Sequence, residues 1–177
     1  MMARFQRLQR LAAFPALMLL AACSAPEEAA APAVQVAPAS VTVLLAGEAF
    51  EVEVAADGPS RTRGLSGRES IPRNGGMLFV MPRPGPFTMV MRDCPNPIDV
   101  AFIDSMGRVV TIHAMVPEPP RKSGETPFRY ERRLPAYHSD GPVQFALETA
   151  GGRLAELGLA VGDRVHFEAQ LLVERAR

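Results

Sequence analysis

Between Gly75 and Asp104 the chain carries two dense apolar runs, Met77–Met81 and Val100–Ile103, with no polar residue inside either. A strand with one wet face alternates polar and apolar residues, so an unbroken apolar run needs cover on both faces. Met77–Met81 is therefore expected as a central strand, and the rest of the chain must supply its neighbours and its two covers. Between the runs lies a polar knot, Arg92-Asp93-Cys94, followed by Pro95, Pro97 and Asp99. Apolar walls around a few ionisable groups suit a binding or catalytic site. A strand that meets a buried turn has the same composition.

Other strands follow from alternation. Val41–Leu45, a turn at Ala46-Gly47-Glu48 and Phe50–Val54 predict a hairpin, with Glu51 and Glu53 on the wet face. Ser60 is placed to cap a short helix over Arg61–Ser66 that Gly67 ends, with Gly64 inside it for close packing on the sheet. Phe87–Met91, Asp99–Asp104 and Arg108–Met115 read as further strands. So do Val143–Leu147 and Arg164–Val173, the latter with Val165, Phe167, Ala169 and Leu171 inward. Gly152–Leu157 reads as a second short helix. Residues 117–141 are rich in proline, glycine and mixed charge, and read as one long loop, a solvated excursion or a lid. The sum is a mainly β, β-rich α+β fold: a mixed sandwich or partly closed barrel of about seven or eight strands with two short helices.

The N-terminus carries Arg4, Arg7 and Arg10 ahead of an apolar run from Leu11 to Ala22. At about 12 residues that run is shorter than the roughly 20 that span a bilayer, and its layout is that of a secretory signal. Leu20-Ala21-Ala22-Cys23 resembles the bacterial lipoprotein processing box. The resemblance implies cleavage before Cys23 and lipid, palmitate among it, on the sulfur and amine of Cys23. Residues 1–22 are thus expected as a signal peptide. Cys23 and the Ala/Pro stretch to residue 40 form a tether, and 41–177 a single globular domain. Ser24 after the cysteine leans towards the outer membrane, with the domain facing the periplasm.

Loss of residues 1–22 removes three arginines, leaving 16 basic against 19 acidic residues. No basic stripe remains to track phosphates, which argues against a nucleic-acid partner. Cys94 is then without an intramolecular partner for a disulfide.

Seven short segments appear in the order seen in one family: Arg63-Gly64-Leu65, Gly76-Met77-Leu78-Phe79, Met91-Arg92-Asp93, Pro97-Ile98-Asp99, Phe102-Ile103-Asp104, Phe145-Ala146-Leu147-Glu148 and Gly158 to Asp163. Over Val41 to Val173 the chain resembles the bacterial and archaeal domain of unknown function numbered 192. The resemblance implies a compact β-rich domain with small helices, and attaches no activity. Where family members commonly read Trp-Met-Lys-Asn-Thr, this chain has Val90-Met91-Arg92-Asp93-Cys94. A large aromatic wall is lost, an acid stands for an amide and a thiol for a hydroxyl.

Three chemistries compete for the polar knot. The first is a non-catalytic binding module for a small ligand or a protein partner, with no cofactor: Arg92, Asp93, Cys94 and Asp99 beside Met77, Phe79 and Met91. The same residues could instead be tying down a tight turn. The second is a thiol or hydrolase-like enzyme, with Cys94 as nucleophile, His113 as base, and Asp99 or Asp104 to orient it. No spacing ties these residues together, and cysteine often serves as a small buried hydrophobe. The third is a metal site of Asp93, Cys94, Asp99 and His113, which lacks the short paired spacings zinc sites favour. Met77, Met81, Met89, Met91 and Met115 suit core filling better than copper(I). Binding is the reading the sequence favours.

Overall fold

The computed structural model describes residues 40–176. The expected signal peptide, Cys23 and nearly all of the tether lie outside the described residues. No helix among the described residues is long and apolar enough to cross a membrane.

The chain begins with the expected hairpin of β1 (Ser40–Leu45) and β2 (Glu48–Ala55). A crossover through α1 (Gly58–Arg63) brings in β3 (Gly75–Gly85) parallel to β2. Helix α1 starts three residues earlier than Ser60 would have started it. Asp57 is the cap, accepting from the Ser60 N–H at 2.8 Å, while the Ser60 hydroxyl accepts from the Asp57 N–H at 3.2 Å. This reciprocal box satisfies two orphan donors, and Pro59 in the first turn has no N–H to satisfy. Gly64 is therefore the residue that ends the helix, at φ 52°, and not an interior position. It does pack closely on the sheet: a Cβ there would stand 3.2 Å from the Phe79 ring.

The chain continues through β4 (Thr88–Val90), β5 (Ile98–Ile103), β6 (Val109–Met115), α2 (Pro127–Arg133), β7 (Ala136–His138) and β8 (Val143–Ala150). It ends with α3 (Arg153–Glu156) and α4 (Ala169–Val173). The main sheet has the order β1-β2-β3-β8-β5-β6, and β4 pairs with β7 in a separate two-stranded sheet. β3 is central as expected, and Gly75–Met81 is buried without a break. β8, last in sequence, inserts between β3 and β5. The insertion depends on Gly76. A Cβ there would lie 1.9 Å from the Glu148 carbonyl oxygen, and φ is 151°, so only glycine allows the two backbones this close.

Both faces of the main sheet are covered. One carries Val43, Phe50, Val52, Leu78, Val80, Ala101, Phe145 and Leu147, closed by Leu154 of α3 and Leu172 of α4. The other carries Met77, Phe79, Val100, Phe102 and Ala146, closed by Leu65, Met89 of the small sheet, Met91 and Cys94. The fold is a β-rich α+β sandwich of eight strands and four short helices among the described residues.

Three expectations are corrected. The main sheet does not close into a barrel: residues 164–166 form only isolated bridges, Arg164 to Arg108 just ahead of β6 and His166 to Leu44 of β1. Arg164–Val173 is not a strand. Alternation holds through Phe167, after which α4 buries Leu172 and leaves Leu171 54% exposed. Residues 117–141 are not one loop, because they contain α2 and β7. Thr126 caps α2 ahead of Pro127, and its Tyr130 is buried among the neighbouring elements.

Candidate functional site

Strand β8 sends alternate side chains to opposite faces. Phe145 and Leu147 enter the core beneath α3 and α4, which puts Ala146 and Glu148 on the other face. Glu148 sits opposite Met77 of β3 and Val100 of β5, neither of which offers a polar side chain. It is 6% exposed, and its Oε2 has no hydrogen-bond partner. Burial, with no cation to offset it, pushes its carboxyl from an ordinary 4.5 up to about 8. At neutral pH it is a neutral acid with an O–H to give.

That carboxyl lines a cavity of about 350 Å³ between α1, β4 and the main sheet. Leu65, Phe79, Phe87 and Met89 form apolar walls, and Arg61, Arg63 and Arg92 also line it. Arg61 donates to the Val80 carbonyl at 2.9 Å. Arg92 grips the Glu131 carboxylate through Nε and Nη2 and donates from Nη1 to the Thr62 carbonyl at 3.1 Å. Cys94 is in the wall as well. Burial, and then the neighbouring Glu148, push its thiol up to about 11, and Sγ donates to the Arg92 carbonyl at 3.3 Å.

Of the residues singled out in the sequence, Phe79, Arg92 and Cys94 line this cavity. Met91 is fully buried in the core beside it. Asp93 is exposed and faces the segment that crosses it. The Tyr130 hydroxyl donates to Asp93 Oδ1 at 2.9 Å and accepts from the Asp93 N–H at 3.0 Å. Asp93 has φ 52°, and this paired contact holds it there. The bend is further fastened by Ser66 Oγ donating to the Arg92 carbonyl and Gly67 N–H to the Asp93 carbonyl. Asp99 does not join them. It lies on the opposite face of the sheet, 3% exposed, where Oδ2 accepts from the Leu154 N–H of α3 at 2.9 Å.

The thiol triad is not assembled. His113 does not line the cavity; its Nε2 donates to the His138 carbonyl at 2.8 Å and its ring packs on Phe102 and Tyr137. Asp104 Oδ1 accepts from the N–H groups of Met106 and Arg108, closing a turn. Among the described residues, no group of three or more His, Cys, Asp or Glu side chains is placed to hold a metal ion.

Sequence reasoning missed Glu148 and Arg61 as site residues. The signal for Glu148 was an acid ending the apolar stretch Phe145-Ala146-Leu147. It becomes meaningful only once β8 is known to be covered on both faces.

The fold and cavity together define a small β-rich α+β domain with an acid-floored, apolar-walled pocket under an arginine rim. The chain belongs to the family DUF192, described as an uncharacterized ACR, whose model matches residues 41–167. Among solved structures it is similar to a "putative transcription regulator" from Sinorhizobium meliloti 1021, with a TM-score of 0.60 and 29% identity. That match covers 75% of this chain and 96% of the other. It is also similar to a protein of unknown function from Novosphingobium aromaticivorans DSM 12444, with a TM-score of 0.61, 28% identity, and coverage of 79% and 95%. Comparison with curated proteins gives no match.

Proposed function

We propose that this domain is a non-catalytic binding module for a small ligand, and that it is carried on a lipid anchor at Cys23, facing the periplasm. One observation carries the binding reading: Glu148 Oε2 is buried without a partner in the wall of a cavity of about 350 Å³. An unsatisfied buried polar atom costs about 1–3 kcal/mol, which a ligand that supplies the missing partner recovers. A thiol pushed up to about 11 is a poor nucleophile at neutral pH, so Cys94 serves better as wall than as reagent.

The test is enrichment of small molecules from a periplasmic metabolite extract on the immobilised full chain, with Glu148→Leu and Arg92→Ala alongside. Wild type is expected to retain at least one compound that Glu148→Leu loses. Identical retention on all three proteins would remove the cavity from consideration. The anchor rests on the basic, apolar and Ala-Cys layout of residues 4–23. Intact-mass measurement of membrane-extracted protein should give an acylated chain beginning at Cys23. An uncut, unmodified chain would overturn the anchor and leave the cavity argument untouched.

A further inference from the structure

We infer that the cavity takes a small organic carboxylate, held by a hydrogen bond from the Glu148 acid O–H and charge-balanced by the arginines that line the same walls. The inference rests on the ligand-binding reading and adds the ligand's chemical class.

Sharing the cavity lining with Glu148 are the ionisable groups Arg61 and Arg63 from α1, and Arg92 and Cys94 from the bend after β4. The main-sheet neighbours β3 and β5 present Met77, Phe79 and Val100, and β4 presents Met89. With Cys94 a thiol and Glu148 protonated, the lining holds three arginines and no anion. Glu131 offsets Arg92 from outside the cavity, and Arg61 is partnered as well, so the charge left to the lining is chiefly that of Arg63. A cationic ligand would meet that field unfavourably, whereas an anion is drawn in.

The walls then select among anions. Phe79, Phe87, Leu65 and Met89 favour an apolar body over a strongly hydrated inorganic ion. The orphan carboxyl needs an acceptor for its proton, and a carboxylate is the strongest acceptor an organic ligand commonly brings. A bond from an acid O–H to a carboxylate is short and charge-assisted, about twice the strength of a neutral pair. It also satisfies the one buried side-chain oxygen left without a partner among the described residues. No covalent change is involved, and the proton stays with Glu148.

Benzoate, benzamide and benzamidine share one planar shape with negative, neutral and positive heads. Calorimetric titration of the full chain at pH 7 is expected to rank benzoate first. Glu148 loses its proton as pH passes about 8, so wild-type affinity for benzoate should fall about tenfold from pH 7 to pH 9. Glu148→Gln keeps an N–H donor that does not titrate. It should bind benzoate equally at both pH values, a result that simple loss of fold would not produce. Benzamidine binding more tightly than benzoate, absence of benzoate binding, or a flat wild-type pH profile would each overturn the carboxylate assignment. Enrichment of an amine or an amide that Glu148→Leu loses would overturn it too, while leaving the ligand-binding reading intact. Absence of any Glu148-dependent enrichment would sink both.

Discussion

The two faces of the main sheet are built from the same strands and do opposite things. The face beneath α3 and α4 is filled by Leu78, Val80, Ala101, Phe145, Leu147 and Leu154, all at most 1% exposed. The other face uses methionines, a cysteine and a small accessory sheet, and it encloses both a cavity and an unpaired acid. Consecutive residues show the contrast most sharply: Leu147 is fully buried in the dry core, and Glu148 is buried on the open side. The lesson is a division of labour within one sheet. A tightly packed face supplies the stability that lets the opposite face keep a group that is costly to bury.

The largest test of this contrast is on the packed face. Leu147→Ala should lower stability by about 3–5 kcal/mol in denaturant unfolding, because it empties a fully buried position in the packed core. The same truncation at Met89, beside the existing cavity, should cost about half as much. Equal costs would break the contrast.

The next effect has the opposite sign and depends on pH. Glu148 holds its proton more tightly folded than unfolded, so stability falls as pH rises through 4.5, and the loss is complete above about 8. Glu148→Gln removes that loss. Relative to wild type it should gain roughly 3 kcal/mol between pH 5 and pH 8, and be the more stable protein at pH 8. A parallel pH dependence in the two proteins would show that Glu148 is not the buried neutral acid described.

The smallest test separates the two carboxylates. Asp99→Ala should cost about 1 kcal/mol through the lost acceptor for the α3 N–H, and should leave benzoate affinity unchanged. A tenfold loss of affinity would place Asp99 in the site after all.

Much of the framework was legible because it is local. Met77–Met81 reads as central because it never alternates, and the β1–β2 hairpin because Phe50 to Val54 does. The start of α1 was misread for a local reason, the Asp57–Ser60 box, but the larger misreadings have non-local causes. Arg164–Val173 alternates like a strand, but the edges it meets offer only single bridges, and burial of Leu172 turns the chain into a helix. The mixed-charge composition of 117–141 hid a capped helix whose Tyr130 docks on Asp93, 37 residues earlier. Asp99 was grouped with Arg92 and Asp93 because it follows them closely. In a strand, one position decides the face, and Asp99 falls on the wrong one. Glu148 could not be recognised as a site residue without knowing that β8 lies between β3 and β5, a pairing no local pattern encodes.

Gly76 acts as a key for the whole arrangement. Because its missing methylene is all that separates β3 from the Glu148 carbonyl, a slip that brought Met77 to that place would drive a carbon into an oxygen. The alignment that keeps the acid pointing at its pocket is thus enforced from the neighbouring backbone. A designer wishing to change what the pocket accepts can recast its walls freely, but must leave that one vacancy alone.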